Sequence, residues 1–225
     1  MSATNNGANL VRADAATSTR LATPADLQGV VDTLVEAFHR DPVWSWAFPD
    51  ITVRAAQHAA IFQMTVSHAI AHRSVWLTGD YGAVITAFAP GINEMSDDDA
   101  SRFPAVINEL LGDHAQQVND LFERFEHARP VTTPHLYISM LGVRGRARGH
   151  GIGMDLLSHV MQQADSQGIG VYLESSNGAN DARYREAGFD IHGSIPVAPG
   201  RPPITTMWRD PTPAADLVIY PTLEG

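Results

Sequence analysis

The sequence predicts an α/β (α+β) protein, a mixed sheet with helices on both faces. Apolar runs at Val75–Thr78 and Ala83–Ala89 flank Gly79-Asp80-Tyr81-Gly82, a hairpin signal. From His135 onward, β-leaning runs alternate with helical periods. Between these halves the stretch HLYISMLGVRGRARGHGIGMDLL, His135 to Leu157, passes from an apolar strand through a turn of glycines and arginines into an amphipathic helix.

Taken in order, Met1 to Thr19 is polar and small and reads as a mobile tail. Arg20-Leu21-Ala22 is a short first strand. Thr23-Pro24-Ala25-Asp26 starts a helix, with a hydroxyl cap, proline at the first position and an acid in the first turn. Leu27, Val30, Val31, Leu34, Val35 and Phe38 form its apolar stripe, and Asp41-Pro42 stops it. Trp44, Trp46 and Phe48 fall in a proline-bounded loop before a second helix over Val53–His72. After the hairpin, Ser96 and three aspartates open a helical region running to about Glu126, with a break near Gly112-Asp113. Pro130 and Pro134 bracket the approach to the central strand, His135–Val143. Ile152, Leu156, Leu157, Val160, Met161 and Ala164 mark the next helix, closed by Gly168. Gly170–Glu174 is a strand, Asn180–Ala187 a short helix closed by Gly188, and Phe189–Pro196 and Ile204–Arg209 the last strands. One domain is expected over 20–209, with a C-terminal extension over 210–225 that contains the apolar run Leu217–Tyr220.

Composition narrows the function. A chain of 225 residues, 44% hydrophobic and 18% charged, can bury a sizeable core. Its net charge of −10 argues against general nucleic-acid binding. There is no cysteine, hence no disulfide, thiolate nucleophile or cysteine-based zinc site. His68 and His72 share a helix face, but no His-Glu-x-x-His accompanies them and no metal is expected. No stretch has the length of a membrane span, and Met1 to Asn9 lacks signal-peptide character, so a cytoplasmic protein is expected.

The turn carries the chemistry. A glycine-rich strand–helix junction presents unpaired N–H groups at the positive end of the helix dipole, which favours a phosphate. A Walker loop is excluded, since no Gly-Lys-Ser/Thr follows Gly149, and so is G-x-G-x-x-G, since Gly149, Gly151 and Gly153 alternate ahead of Met154. What remains is Arg148-x-x-Gly151-x-Gly153 directly after a strand and ahead of a helix. This resembles the R/Q-x-x-G-x-G/A acyl-CoA pyrophosphate loop of the GNAT superfamily. Asn180-x-x-x-Tyr184-x-x-x-Gly188-Phe189 resembles a second signature of that superfamily. Arg20-Leu-Ala-Thr23, Glu36-Ala-Phe38, Leu141-Gly-Val143 and Leu173-Glu-Ser-Ser176 are similar to the puromycin N-acetyltransferase group within it. Gly145 stands where that group usually has proline, and Arg148 where it often has glutamine.

The resemblance implies a largely antiparallel, twisted sheet splayed at its central strands, and transfer of an acetyl group from acetyl-CoA to a small-molecule amine by direct attack. An antibiotic or aminonucleoside-like metabolite is one class of acceptor; a CoA-binding sensor and a larger acyl-CoA are the competing readings. It assigns the pyrophosphate to the backbone of Arg148, Gly149, His150, Gly151, Ile152 and Gly153, with Arg144, Arg146 and Arg148 as side-chain partners or simply solvent-exposed. Leu141, Gly142 and Val143 would carry pantetheine and an oxyanion-donating N–H. Tyr184 would protonate the departing thiolate, its alternative being a core ring; Asn180 would cap its helix, bond pantetheine, or both. Glu174 can take the amine proton, directly or through water, particularly if desolvation raises its pKa; its alternative is a solvated or salt-bridged carboxylate. Ser175 and Ser176 orient substrate or serve a turn. Trp44, Trp46 and Phe48 lie where this family builds its acceptor wall, their alternative being core packing. The protein is expected to be a monomer or a homodimer.

Overall fold

In the computed structural model, residues 18–213 are described. The expected N-terminal tail, apart from its last two residues, and the expected C-terminal extension beyond residue 213 lie outside them. The elements run β1 (Thr19–Leu21), α1 (Leu27–Phe38), α2 (Pro42–Ala47), α3 (Arg54–Ala71), β2 (Val75–Thr78), β3 (Ala83–Phe88), α4 (Asp97–Leu111), α5 (Ala115–Ala128), β4 (His135–Val143), α6 (Ile152–Gln167), β5 (Gly170–Ser175), α7 (Asp181–Glu186), β6 (Asp190–Ile195) and β7 (Ile204–Arg209). Their sheet has the order β1-β2-β3-β4-β5-β7-β6. Every pairing is antiparallel except β4 with β5, which is parallel.

Strand alternation assigns the two faces. Ile85, Ala87, Leu136, Ile138, Val171 and Leu173 pack against Leu156, Leu157, Val160 and Ala164 of α6. The alternate residues Val84, Phe88, Tyr137 and Tyr172 face Val30, Val31 and Leu34 of α1 and Phe62, Val66 and Ala69 of α3. A third cluster, with Phe48, Ile61, Phe103, Ile107 and Val118, joins α2 to α4 and α5 outside the sheet. Among the described residues no helix is long and apolar enough to cross a membrane.

Two local features position the site. First, β4 has a bulge: Ile138 pairs with Ala87 but Met140 with Thr86, leaving Ser139 as the extra residue. The slip keeps Met140 on the same face as Tyr137. Second, β4 and β5 pair only from His135↔Gly170 to Ile138↔Leu173, so they part where the bulge begins. Beyond that point β4 stays on β3 and β5 stays on β7. The mouth between them is the expected splay.

The loop expected around Trp44 is instead a short helix. Asp41 Oδ1 accepts from Val43 N at 2.9 Å and Trp44 N at 3.2 Å, and Pro42 takes the first position. The Asp-Pro pair that ends α1 thus also starts α2, because a carboxylate and a fixed φ suit a helix N-terminus. The long region after Ser96 does divide, at Gly112, whose φ is +53°.

Candidate active site

The mouth opens into a cavity of about 1080 Å³ lined by the sheet, α1, α2, α4, α5, the 144–153 turn and α7. Its basic part comes from Arg40, Arg148 and Arg183; its acidic part comes from Asp41, Glu94, Glu123, Glu126 and Glu174.

The turn is built as a cradle. Gly149 and Gly151 have φ of +81° and +78°, which L side chains rarely adopt, and nothing else crowds them. Gly153 has another reason: a Cβ there would meet Val143 Cγ2 at 2.7 Å, so α6 could not lie this close to β4. Within the turn, Ala147 N donates to Arg144 O and Arg148 N to Gly145 O. Among the described residues no hydrogen bond engages the N–H groups of Gly149 through Gly153. Unpaired donors at the start of a 16-residue helix fit a pyrophosphate. Arg148, Gly149, Gly151, Ile152 and Gly153 line the cavity; His150 does not, its ring bonding back to Arg148 O.

The other arginines of the turn hold it in place. Arg144 Nε donates to Thr33 Oγ1 at 2.9 Å, and Arg146 bridges Asp80 at 3.0 Å. Gly145 N donates to Glu36 Oε1 at 2.7 Å, a bond that proline at this position would forfeit. Arg148 is exposed and reaches Val143 O and Ala37 O, so it can swing toward an anion. Leu141 and Val143 line the cavity, while Gly142 packs against Leu34 and Ala37.

Glu174 stands on β5 where β4 has left it. Alternation sets it on the face of Tyr172, and it lines the cavity. Its Oε1 is sealed from solvent and has no hydrogen-bond partner among the described residues. Burial pushes its pKa up to about 8, against the opposing pull of the Arg129 guanidinium. Arg129 itself lies 3.8 Å over the Tyr137 ring and pairs with Glu94 at 2.7 Å. Ser139, the bulge residue, donates to the other oxygen of Glu94. The sequence reading missed this group, although the alternation that faces Leu136, Ile138, Val171 and Leu173 to α6 turns Tyr137 and Tyr172 the other way.

Tyr184 lines the cavity from α7, its ring 6.0 Å from that of Phe189. Burial, with Asp181 and Asp41 nearby, raises its phenol to about 12, so it stays protonated. Asn180 also lines the cavity but does not cap its helix; its Oδ1 accepts from Arg183, and the cap of the preceding turn is Asn177, accepting from Ala179 N. Ser175 donates to Asp181 at 2.6 Å and Ser176 to Asp41 Oδ2 at 2.8 Å, so both serines tie elements together. The Asp41–Ser176 bond joins the α1–α2 corner to the end of β5, and burial pushes the Asp41 pKa up.

Of the three aromatics expected in the acceptor wall, Trp44 lines the cavity. Phe48, fully buried, stacks beneath it with centroids 5.8 Å apart. Trp46 meets His114 at 5.3 Å in the helical cluster and does not reach the cavity. On the helix Trp46 points away from Trp44, while Phe48, four residues on from Trp44, lies on the same side but deeper in the core.

Comparison with known proteins agrees with this architecture. Residues 114–189 match the Acetyltransferase (GNAT) family. A probable toxin TacT of Sinorhizobium fredii is 37% identical over 101 residues, 39% of this chain and 56% of that protein. An L-methionine sulfoximine/L-methionine sulfone acetyltransferase of Pseudomonas aeruginosa is 39% identical over 57 residues, 24% of this chain and 33% of that protein. The chain thus spans little more than half the length of the first of these curated relatives and a third of the second. A Corynebacterium glutamicum structure described as histone acetyltransferase HPA2 and related acetyltransferase superposes with a TM-score of 0.65 at 23% identity, over 88% of this chain and 97% of that one. The family match covers about a third of the chain, and the solved structure shares its fold.

Proposed function

We propose that the protein moves an acetyl group from acetyl-CoA to a primary amine of a small molecule by direct attack. The observation that carries this reading is the mouth between β4 and β5, where Glu174, a buried carboxylate with its Oε1 unpartnered, shares one cavity with a phenol, Tyr184, and a phosphate cradle.

The chain's groups have the following roles. The N–H groups of Gly149 to Gly153 and Arg148 hold the pyrophosphate, and the unpaired edge of β4 at Leu141 to Val143 holds pantetheine and donates to the thioester carbonyl. Glu174 takes one proton from the ammonium of the acceptor; with a pKa near 8 it is a base matched to neutral pH. The amine nitrogen then bonds to the carbonyl carbon, the C–S bond breaks, Tyr184 gives its proton to the thiolate, and the second proton shed by the nitrogen restores the Tyr184 phenol through solvent. Asn180 and Trp44 line the path.

Two features favour a small molecule as acceptor: the reacting groups are recessed in a cavity, and the acidic side of that cavity attracts ammonium ions. The similarity of Leu173-Glu-Ser-Ser176 and its companion segments to the puromycin N-acetyltransferase group supports including an aminonucleoside antibiotic in the acceptor screen.

The test is calorimetric titration with acetyl-CoA, followed by thiol release across a panel of amines. Micromolar binding and amine-dependent thiol release are expected. Absence of acetyl-CoA binding would sink the reading.

A further inference from the structure

Near the sealed Glu174 stands a guanidinium that does not pair with it. Arg129 follows α5 and lies over the ring of Tyr137, which stands opposite Tyr172, two residues before Glu174 on the same face of β5. Among the described residues the ion pairs of Arg129 go to Glu94 at 2.7 Å and Glu126 at 3.4 Å, and none goes to Glu174. Two buried atoms of this group have no hydrogen-bond partner there: Nε of Arg129, a donor, and Oε1 of Glu174, an acceptor. A buried donor and a buried acceptor in one neighbourhood stay unjoined only where something keeps them apart. Glu94, between β3 and α4, is placed to do so. Its side chain is 19% exposed against 67% for Glu126, so its pair with Arg129 is the less screened of the two. Both of its oxygens are committed, Oε2 accepting from Arg129 and Oε1 from Ser139. Ser139 is the extra residue of the β4 bulge, so the irregularity at the mouth also supplies the anchor of Glu94.

We infer that Glu94 is a positioning residue: anchored by Ser139, it tethers Arg129 away from Glu174 and so leaves the Glu174 carboxyl to the ammonium of the acceptor. The groups that act on Glu174 are Tyr137 on β4, Tyr172 on β5, Arg129 after α5 and Glu94 before α4; Thr206 of β7 stands opposite it. Glu126 reaches it only by way of Arg129. Arg129 is the one cation of this group, so its tether decides whether Glu174 meets a protein ion pair or a substrate. An ion pair with Arg129 would keep Glu174 ionised and occupied, hence a weaker base. The inference rests on the acetyl-transfer reading for the role of Glu174, while the tether can be measured without turnover.

The experiment follows the Glu174 carboxyl by carbon NMR of protein labelled at its glutamate side chains, the signal being assigned by its loss in Glu174→Gln. Wild type is compared with Glu94→Gln, which removes the charge that holds Arg129, and with Glu94→Asp, which keeps the charge but is one methylene short. Glu174 should titrate at about 8 in wild type and lower by about 1–3 pH units in Glu94→Gln, as a carboxyl does on gaining a close cation. Glu94→Asp should move it in the same direction. An unmoved titration in Glu94→Gln would overturn the inference. A shift in Glu94→Gln with none in Glu94→Asp would overturn it too, because the charge of Glu94 would then be acting directly. Where Glu94→Gln fails to fold, Glu94→Asp decides alone by the same criterion. The rising limb of kcat/KM, measured by thiol release with the best amine of the panel, should move with the NMR titration. A moved titration with an unmoved limb would instead overturn Glu174 as the base and leave the tether standing.

Discussion

Glu174 illustrates how placement shifts the pKa of an ordinary carboxylate. Because burial raises its pKa to about 8, the deprotonated form grows as pH rises through that value. The value of kcat/KM for acetyl transfer should therefore climb toward a plateau above about pH 8, and Glu174→Gln should abolish that limb with a loss of roughly 10²–10⁴-fold. The same shift acts on stability with a definite sign. A carboxyl whose folded pKa exceeds its unfolded value of 4.5 stabilises the fold fully below 4.5 and ceases to do so as pH rises through about 8. Glu174→Gln should consequently unfold at higher denaturant than wild type at pH 9, although it is inactive. Tyr184→Phe keeps the ring against Phe189 and removes only the hydroxyl, so it should lower kcat by about 10²-fold while leaving the melting temperature nearly unchanged.

At the scale of elements, the turn and the α1–α2 corner make distinct predictions. Gly151→Asp demands a side chain at φ +78° and sets a negative charge in the cradle, whereas Gly153→Ala forces α6 away from Val143. The first should abolish CoA binding with a stability cost of about 1 kcal/mol, and the second should cost about 1–3 kcal/mol. Calorimetry beside thermal unfolding separates the two effects. Asp41 caps α2 and anchors Ser176, so Asp41→Ala removes both bonds and should destabilise by about 1–3 kcal/mol. Asp41→Asn, which can still cap, should recover most of that loss in the same unfolding assay. Most elements were legible from their periodicity and punctuation, including the hairpin, the break at Gly112 and the strand–turn–helix junction. The α2 helix was not, because Asp41-Pro42 serves as stop and start at once and sequence order shows only the first role. Phe48 and Trp46 were assigned to the acceptor wall for that reason. The helix turns one into the core and the other toward His114.

Across the whole molecule, the helical cluster around Trp44 has an acid-sensitive centre. His58 is fully buried among Trp44, Phe48 and Phe62, and neither of its ring nitrogens has a partner among the described residues. Burial lowers its pKa to about 4. A histidine depressed in this way stabilises the fold above its unfolded pKa of 6.5 and loses that contribution as pH falls toward 4, by about 3 kcal/mol in all. Urea unfolding at pH 7 and pH 4.5 should show a steep acid loss in wild type and a shallower one in His58→Leu. Since Trp44 links this cluster to the cavity, acid should also loosen the acceptor wall before the sheet unfolds.

The sequence by itself determined the mixed sheet and the strand–turn–helix junction, because these follow from short-range patterns: alternation, helical stripes, and glycines at fixed spacing between a strand and a helix; Tyr184 was singled out by resemblance to the GNAT superfamily. Only the tertiary structure decided what surrounds them. The bulge at Ser139, the parting of β4 from β5 and the Glu94–Arg129–Tyr137 group beside Glu174 all bring together residues far apart in the chain. Burial and charge at a point in space depend on the packing of every element around it, and spacing along one strand or helix carries no record of that.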